Sequence, residues 1–214
     1  MKKLIILALA VGFLAQGCKP KKQNDAGAAP GKVADLAAAS DRYKLANGTA
    51  TWQGGKIAGT HNGGITIKSA ELGVKDGNVV AGNIVLDVNS ITNEDVTDAK
   101  DNAKLVGHLK SDDFFASATY PDAKFEIVSV APLTGDANNT HTITGNLTIK
   151  KTTRLKSVPA NIKVEGDTIT AKTSFKIDRS KFDVRYGSKT FFADIGDKVI
   201  YDDFDITVDA TLKK

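Results

Sequence analysis

Beyond Tyr43, the chain alternates apolar and polar residues with a period of two. The clearest run is the last one, in which polar residues separate Phe204, Ile206, Val208, Ala210 and Leu212. Because successive side chains of a strand point to opposite faces, this pattern predicts a strand with one buried face. Similar alternation occurs in residues 65–67, 84–88, 125–127, 143–149 and 169–177. The chain is therefore predicted to consist mainly of strands.

Turn-forming residues separate these predicted strands. They occupy residues 75–78 (Lys-Asp-Gly-Asn), 135–139 (Gly-Asp-Ala-Asn-Asn) and 165–167 (Glu-Gly-Asp). Short segments of this composition connect neighbouring strands as hairpins, which pair antiparallel. An antiparallel sheet with one apolar face buries that face by closing into a barrel or by packing as a sandwich. The pattern thus predicts an all-β fold and leaves both arrangements open.

Two segments depart from the strand period. Val96, Ala99, Ala103, Val106 and Leu109 recur at intervals of three and four residues, which predicts one short helix from Val96 to Leu109. Residues 180–198 follow neither period, although they contain Phe182, Tyr186, Phe191 and Phe192. Long connections of this kind often carry function.

The start of the chain resembles an export signal. Two lysines precede an apolar run over residues 4–14, which is too short to span a bilayer and is typical of a secretory signal peptide. The run is followed by Gly17 and by Cys18, the only cysteine. We interpret residues 1–17 as a lipoprotein signal peptide and Cys18 as the lipid-attachment residue. The alternative is that the cysteine lies by chance beside an ordinary cleavage site.

Residues 18–40 are predicted to be a flexible, lipid-anchored linker. They are rich in Lys, Pro, Gln, Asn, Gly and Ala and nearly lack bulky apolar side chains, so they bury too little surface to offset their ordering entropy. Residues 41–214 form the predicted domain. Lys19 after the cysteine favours the outer membrane, with the protein facing the periplasm of a bacterial envelope.

Few residues offer chemistry for catalysis. His61, His108 and His141 are far apart and share no metal-ligand spacing. The chain has no Gly-x-Ser-x-Gly motif and no phosphate-binding loop, and the aspartates that can be placed lie in turns or on solvent faces. We therefore expect neither an enzyme nor a metal or cofactor. A net charge of +4 over 214 residues also gives no support to nucleic-acid binding.

The segment Gly107–Phe125 places His108 close to Asp112 and Asp113, which raises the question of an active site. His108 lies at the end of the predicted helix, where it can interact with the last carbonyl groups. The phenylalanines that follow can pack the helix against the sheet. We therefore interpret the segment as a structural clasp.

Four stretches, in order along the chain, resemble the YceI-like family. They are His61-Asn62-Gly63, the block from His108 to Phe115 with Tyr120-Pro121 and Phe125, Gly145-Asn146-Leu147-Thr148-Ile149-Lys150, and Ile177-Asp178-Arg179-Ser180 with Phe182. The resemblance covers about Tyr43 to Leu212. It implies a lipocalin-like antiparallel barrel of about eight strands, which binds polyisoprenoid or similar long-chain lipids in the bacterial envelope. The basic run from Lys150 to Arg154 departs from the family pattern.

The resemblance implies an apolar tunnel, although a filled core would give nearly the same alternation. Strand alternation nominates eleven residues for its lining: Trp52, Ile67, Leu86, Phe125, Ile127, Leu147, Ile149, Phe175, Ile177, Phe204 and Ile206. Candidates for head-group contact are Arg179, Arg185, Tyr186 and Lys189.

We therefore expect a non-enzymatic protein that binds, and transports or stores, a long-chain lipid of polyisoprenoid, isoprenoid-quinone or fatty-acyl type. The alternative is an envelope stress or interaction module whose barrel is only a scaffold. The expected partners are the lipid ligand and, through the anchor, a membrane. The sequence leaves the oligomeric state open, with a homodimer as one option.

Overall fold

The computed structural model describes residues 28–214, which form a closed barrel of eight antiparallel strands. Each strand pairs with its neighbours in the chain, and the last strand pairs with the first. The strands are β1 (Asp41–Lys56), β2 (Gly59–Lys75), β3 (Asn78–Asp87), β4 (Asp122–Pro132), β5 (His141–Ile149), β6 (Thr152–Glu165), β7 (Thr168–Asp178) and β8 (Asp203–Lys213). The predicted all-β barrel is thus confirmed, and the sandwich alternative is wrong.

The period-two pattern corresponds to an inner and an outer barrel face. In β8, Ile206, Val208, Ala210 and Leu212 are buried, whereas Thr207 between them is exposed. The turn between β2 and β3 has positive φ at Asp76 (51°) and Gly77 (77°). Two successive positive φ values match the right-handed twist of a hairpin, which explains the Asp-Gly pair at this position.

The two ends of the barrel differ. One end, which we call the base, has short turns between β2 and β3, β4 and β5, and β6 and β7. The other end, which we call the mouth end, has the β1–β2 and β5–β6 turns and two long connections, residues 88–121 and 179–202. The connections contain the helix α1 (Ala99–Lys110) and three short 3₁₀ helices (Val88–Ser90, Arg179–Phe182 and Gly196–Lys198).

The helix begins three residues later than predicted, at Ala99 instead of Val96. Asp98 is its N-cap, and the Asp98 carboxylate accepts hydrogen bonds from the backbone N–H groups of Lys100 and Asp101. Val96 instead donates its N–H to the side chain of Asn93, in the turn that leads to the helix.

The segment Gly107–Phe125 joins the helix to the barrel, as the clasp interpretation expects. Ser111 ends the helix and its hydroxyl donates to the carbonyl oxygen of His108 at 2.8 Å. Leu109 and Phe114 are buried in a small core outside the barrel proper, together with Val88, Ile91 and Val184. Asp112 and Asp113 are exposed.

Residues 28–40 are not a free linker, which corrects the predicted linker boundary at residue 40. They form a strap on the outer surface of the barrel. The side-chain amide of Asn146 accepts from Gly31 N–H and donates to Gly31 C=O, both at 2.8 Å. Further along, Ala34 N–H donates to Ile127 C=O at 2.8 Å. The predicted signal peptide, Cys18 and residues 18–27 of the linker lie outside the described residues.

The strap lies over a place where the barrel wall is incomplete. The ladder between β3 and β4 ends at the pair Asn83 and Glu126. Beyond it, the carbonyl oxygen of Ile127 accepts from the strap instead of from β3. The strap therefore satisfies backbone groups of β4 that the neighbouring strand does not reach.

Candidate functional site

The barrel encloses a cavity of about 600 Å³. Side chains from the inner faces of the strands form its wall, and the two long connections of the mouth end contribute its upper part. At the base, Tyr43, Ile169 and Leu212 are almost fully buried, and the hydroxyl of Tyr43 donates to the carbonyl oxygen of Gly166 at 2.8 Å. The cavity is therefore closed at the base.

Large apolar side chains in the middle of the barrel are only partly buried, although they point inward. They include Leu72, Ile84, Leu86, Phe125 and Phe175. In a filled core such residues would be covered by their neighbours. Their remaining accessible surface faces the cavity, so the inner face can accept additional apolar groups.

The ring of Phe125 lies against the backbone of Gly145 in the barrel wall. A Cβ atom at Gly145, the residue paired with Ile127 on the adjacent strand, would lie 2.5 Å from the Phe125 ring. Only glycine leaves the space that this ring occupies, which explains the glycine in the middle of β5.

The mouth end is partly covered by the clasp. The ring of Phe115 packs edgewise on Phe114 and on Phe204, with centroids 5.1 and 6.3 Å apart. His108 also lies at the cavity wall, with its ring edgewise against Phe114 and Tyr186 at 5.7 and 4.3 Å. His108 is thus surrounded by aromatic rings and has no carboxylate partner within the described residues.

Polar groups of the cavity wall are concentrated at the mouth end. The imidazole Nδ1 of His61 lies 2.7 Å from Asp95 Oδ2. Burial tends to raise the pKa of Asp95, but hydrogen bonds from Asn62 N–H, His61 and Asn93 outweigh it and hold the pKa at about 2. The Asp95 carboxylate therefore ties β2 to the turn before the helix, close to the cavity entrance.

The connection after β7 is held by one buried guanidinium. Arg179 donates to the carbonyl oxygens of Val184, Ile200 and Tyr201, each at 3.0 Å, and lies 3.4 Å from a carboxylate oxygen of Asp202. Burial lowers the pKa of Arg179, and Asp202 opposes that shift. Arg179 borders the cavity, but its donors are used to hold the connection together.

Ten of the eleven nominated lining residues border the cavity. The exception is Ile67, which is buried in the packed core, where its Cδ1 fills the space beside Gly48. That the other ten contact a ligand stays a prediction.

The four head-group candidates are not brought together at one point. Arg179 is engaged as described, and Lys189 borders neither this cavity nor a second one. Arg185 and Tyr186 line the second cavity, of about 530 Å³, between the clasp and the 179–202 connection. Tyr186 borders both cavities and so lies where they adjoin.

Several residues that border the cavity were not among the eleven candidates. Ile65, Ile84 and Ile143 belong to runs whose alternation was evident, so the same signal could have found them. Leu72 could not be placed this way, because a register shift between Ile67 and Ser69 exchanges the faces of β2.

The three histidines lie in different parts of the barrel. His141 is paired with the Thr140 hydroxyl at 2.7 Å near the base, whereas His61 and His108 have separate partners at the mouth end. Within residues 28–214, no three side chains of the metal-ligating types converge on one point.

None of the helices among the described residues is both long enough and apolar enough to cross a membrane.

A model of the YceI-like domain family matches residues 43–212. Among solved structures, the chain is similar to BcnA of Burkholderia cenocepacia, with 22% identity and a TM-score of 0.60 over 83% of this chain and 98% of that one. It is also similar to a polyisoprenoid-binding domain of Saccharophagus degradans implicated in plant cell wall breakdown, with 14% identity and a TM-score of 0.56 over 85% and 99% of the two chains.

The YCEI protein of Campylobacter jejuni is similar over 70% of this chain and 84% of its own, with 19% identity and a TM-score of 0.51. No curated protein matches the chain. At these identities, the solved structures establish a likeness of fold.

Proposed function

Because the chain belongs to the YceI-like domain family, we propose that its barrel binds a long-chain apolar lipid of polyisoprenoid, isoprenoid-quinone or fatty-acyl type. The observation that carries the proposal is the cavity of about 600 Å³ with an apolar wall. Its volume lies within the range of about 300–1,000 Å³ that is typical of small-molecule sites. The likeness to a polyisoprenoid-binding domain supports the same ligand class.

The energetics favour a long hydrocarbon chain over a small ligand. Burial of one methylene contributes about 0.8 kcal/mol. Association costs about 4–15 kcal/mol in lost translational and rotational freedom, so about 5 to 19 methylenes only offset that cost. A ligand that binds mainly through this wall therefore needs a long tail.

The distribution of polar groups indicates how the ligand is oriented. The base is closed by apolar side chains, while His61, Lys198 and Tyr201 border the cavity at the mouth end. A polar head group buried at the base would lose its hydration without replacement. The tail therefore points toward the base and the head group lies at the mouth end, where water and these side chains can solvate it.

This function is non-catalytic. The ligand is held by burial of its tail, and at the mouth end His61 is engaged with Asp95 while Arg179 is engaged with backbone carbonyl oxygens. The protein binds the lipid and carries or stores it in the bacterial envelope. The signal-like residues 1–17 and Cys18 support attachment to a membrane, with the outer membrane as the proposed location.

The test is the lipid content of protein purified without added lipid, measured by native mass spectrometry. The substitution Ala171→Phe places a ring in the cavity, because Ala171 is part of its wall. The matched control, Ala131→Phe, adds the same ring on the exposed face of β4.

We expect wild-type protein and Ala131→Phe to carry lipid, and Ala171→Phe to carry much less while its thermal unfolding stays cooperative. If wild-type protein carries no lipid and takes up none from added isoprenoid or fatty-acyl lipids, the proposed function is wrong. The scaffold alternative would then be favoured.

A further inference from the structure

Five large apolar side chains are exposed at the mouth end. Ile57, Tyr186, Phe191, Phe192 and Tyr201 have exposed fractions between 36% and 54%, and we call them the mouth cluster. Ile57 lies in the β1–β2 turn, and the other four belong to the 179–202 connection. Among the described residues, the only other exposed large apolar side chain is Val33 on the strap. Exposed apolar surface is thus concentrated where the cavity opens.

The backbone of the mouth cluster is held in place. Tyr201 N–H donates to Gly55 C=O at 2.8 Å, which joins the connection to β1. Phe191 and Phe192 donate their N–H groups to the carbonyl oxygen of Ser188, at 3.2 and 3.0 Å. Ser188 itself has no accessible surface. The rings therefore project from an ordered segment, and their exposure is a feature of the fold.

The composition of the cluster fits the interface of a lipid bilayer. Aromatic rings and long basic side chains are enriched at that interface, where the rings reach the acyl boundary and the ammonium groups stay in water. Within residues 28–214, no ion pair engages Lys56, Lys189 or Lys198, all of which are exposed at this end. Because Asp194 and Asp197 lie in the same connection, apolar contact contributes more to docking than net charge does.

The strap leads the chain toward the same end. It begins to follow the barrel at the base, where Ser40 N–H donates to Val74 C=O at 2.9 Å. The other end of the strap lies beside β6, because Leu155 N–H donates to Ala28 C=O at 3.3 Å. Leu155 is three residues from Thr152, where β6 starts at the mouth end. Cys18 precedes Ala28 by ten residues, and ten residues span at most about 36 Å. An anchor at Cys18 is therefore within reach of the mouth end.

We propose that the mouth end docks on the surface of a lipid bilayer, with the mouth cluster in the interface and the cavity open to the membrane. This inference goes beyond lipid binding. Of its arguments, only the one from the course of the strap depends on the proposed anchor at Cys18. A docked mouth lets a tail pass between bilayer and barrel without crossing water.

The experiment uses the full chain, reconstituted in vesicles of phosphatidylethanolamine and phosphatidylglycerol whose acyl chains are brominated or unbrominated. The native Trp52 is replaced by Phe in both samples, so that all tryptophan fluorescence comes from the one introduced tryptophan. The reporter variant is Phe192→Trp in the mouth cluster. The control variant is Asn138→Trp in the exposed turn at the base.

Docking predicts that the Phe192→Trp protein emits at shorter wavelength than the Asn138→Trp protein, because its ring lies out of water. It also predicts that brominated lipid quenches the Phe192→Trp emission, while Asn138→Trp emits equally in both vesicles. Equal quenching of both variants, stronger quenching of Asn138→Trp or no quenching of either would overturn the proposal.

Mass spectrometry of the wild-type protein, in which the cavity-wall residue Trp52 is intact, separates this inference from the proposed function. Quenching of Phe192→Trp, together with a wild-type protein that carries no lipid and takes up none, supports docking and contradicts lipid binding. Bound lipid without quenching supports lipid binding and contradicts docking.

Discussion

The substitution Asn146→Ala is predicted to release the strap from the barrel. It removes the acceptor for Gly31 N–H and the donor to Gly31 C=O, both at 2.8 Å, from a residue that is only 4% exposed. Such hydrogen bonds contribute about 0.5–1.5 kcal/mol each, so the strap loses about 1–3 kcal/mol of its docking free energy. The fraction of molecules with a detached strap should then rise about 5- to 150-fold.

The assay is limited trypsin digestion followed by mass spectrometry. Lys32 is an exposed cleavage site within the strap, next to Gly31. Because a protease needs an extended, detached segment, the cleavage rate after Lys32 follows the population of detached strap. We expect this rate to rise by the factor given above. The midpoint of thermal unfolding should fall by about 2–4 °C for each kcal/mol lost.

The matched control is Asn161→Ala. Its side chain donates to the carbonyl oxygen of Asn138 at 2.8 Å, in the turn between β4 and β5, and makes no hydrogen bond with the strap among the described residues. If cleavage after Lys32 is as slow in Asn146→Ala as in the wild type, or is accelerated equally in Asn161→Ala, the assignment of Asn146 as the main attachment of the strap is wrong.

Three further predictions concern the anchor, the clasp and the entrance of the cavity. Cys18→Ser should move the protein from the membrane to the soluble fraction; unchanged fractionation would contradict lipid attachment. His108→Ala should lower the melting temperature by several degrees, because its ring packs on Phe114 and Tyr186, while the lipid content changes little; the opposite result would place His108 in the binding site. The Asp95 pKa of about 2 lies below its usual 3.8, so the stability that this carboxylate contributes is present above about pH 4 and is lost as the pH falls toward 2. Asp95→Asn should flatten the pH dependence of unfolding in that window, and an unchanged profile would refute the linkage.

The parts of the fold that depend on local signals could be predicted from the sequence. The burial of Ile206, Val208 and Leu212 follows from the period of two, and the Asp76-Gly77 turn follows from its φ requirements. The helix was also predicted, although its start was placed three residues too early. The boundary was missed because Asp95, the residue before Val96, is as good an N-cap by type as Asp98, but its carboxylate is engaged by Asn62 N–H and His61.

The strap could not be predicted, because the contacts that hold it are distant in sequence. Gly31 and Asn146 are 115 positions apart, and the partners of the strap are mostly backbone groups of the barrel. The prediction of a free linker considered only the apolar side chains that the segment can bury, and the strap has few of them. The absence of a side chain at Gly31 is what permits the close approach, since a Cβ there would lie 3.0 Å from Val128.

The hollow interior depends on small inward residues that the period of two treats like any other apolar residue. Five alanines border the cavity: Ala70, Ala123, Ala160, Ala171 and Ala210. An alternation that contains alanine predicts the same buried face as one that contains leucine, so periodicity alone left a filled core and a tunnel equally open. The distinction lies in volume, because a leucine is larger than an alanine by three carbon atoms, and several such exchanges on facing strands would close the cavity. These alanines, more than the aromatic residues of the wall, are therefore the positions where the sequence encodes the cavity.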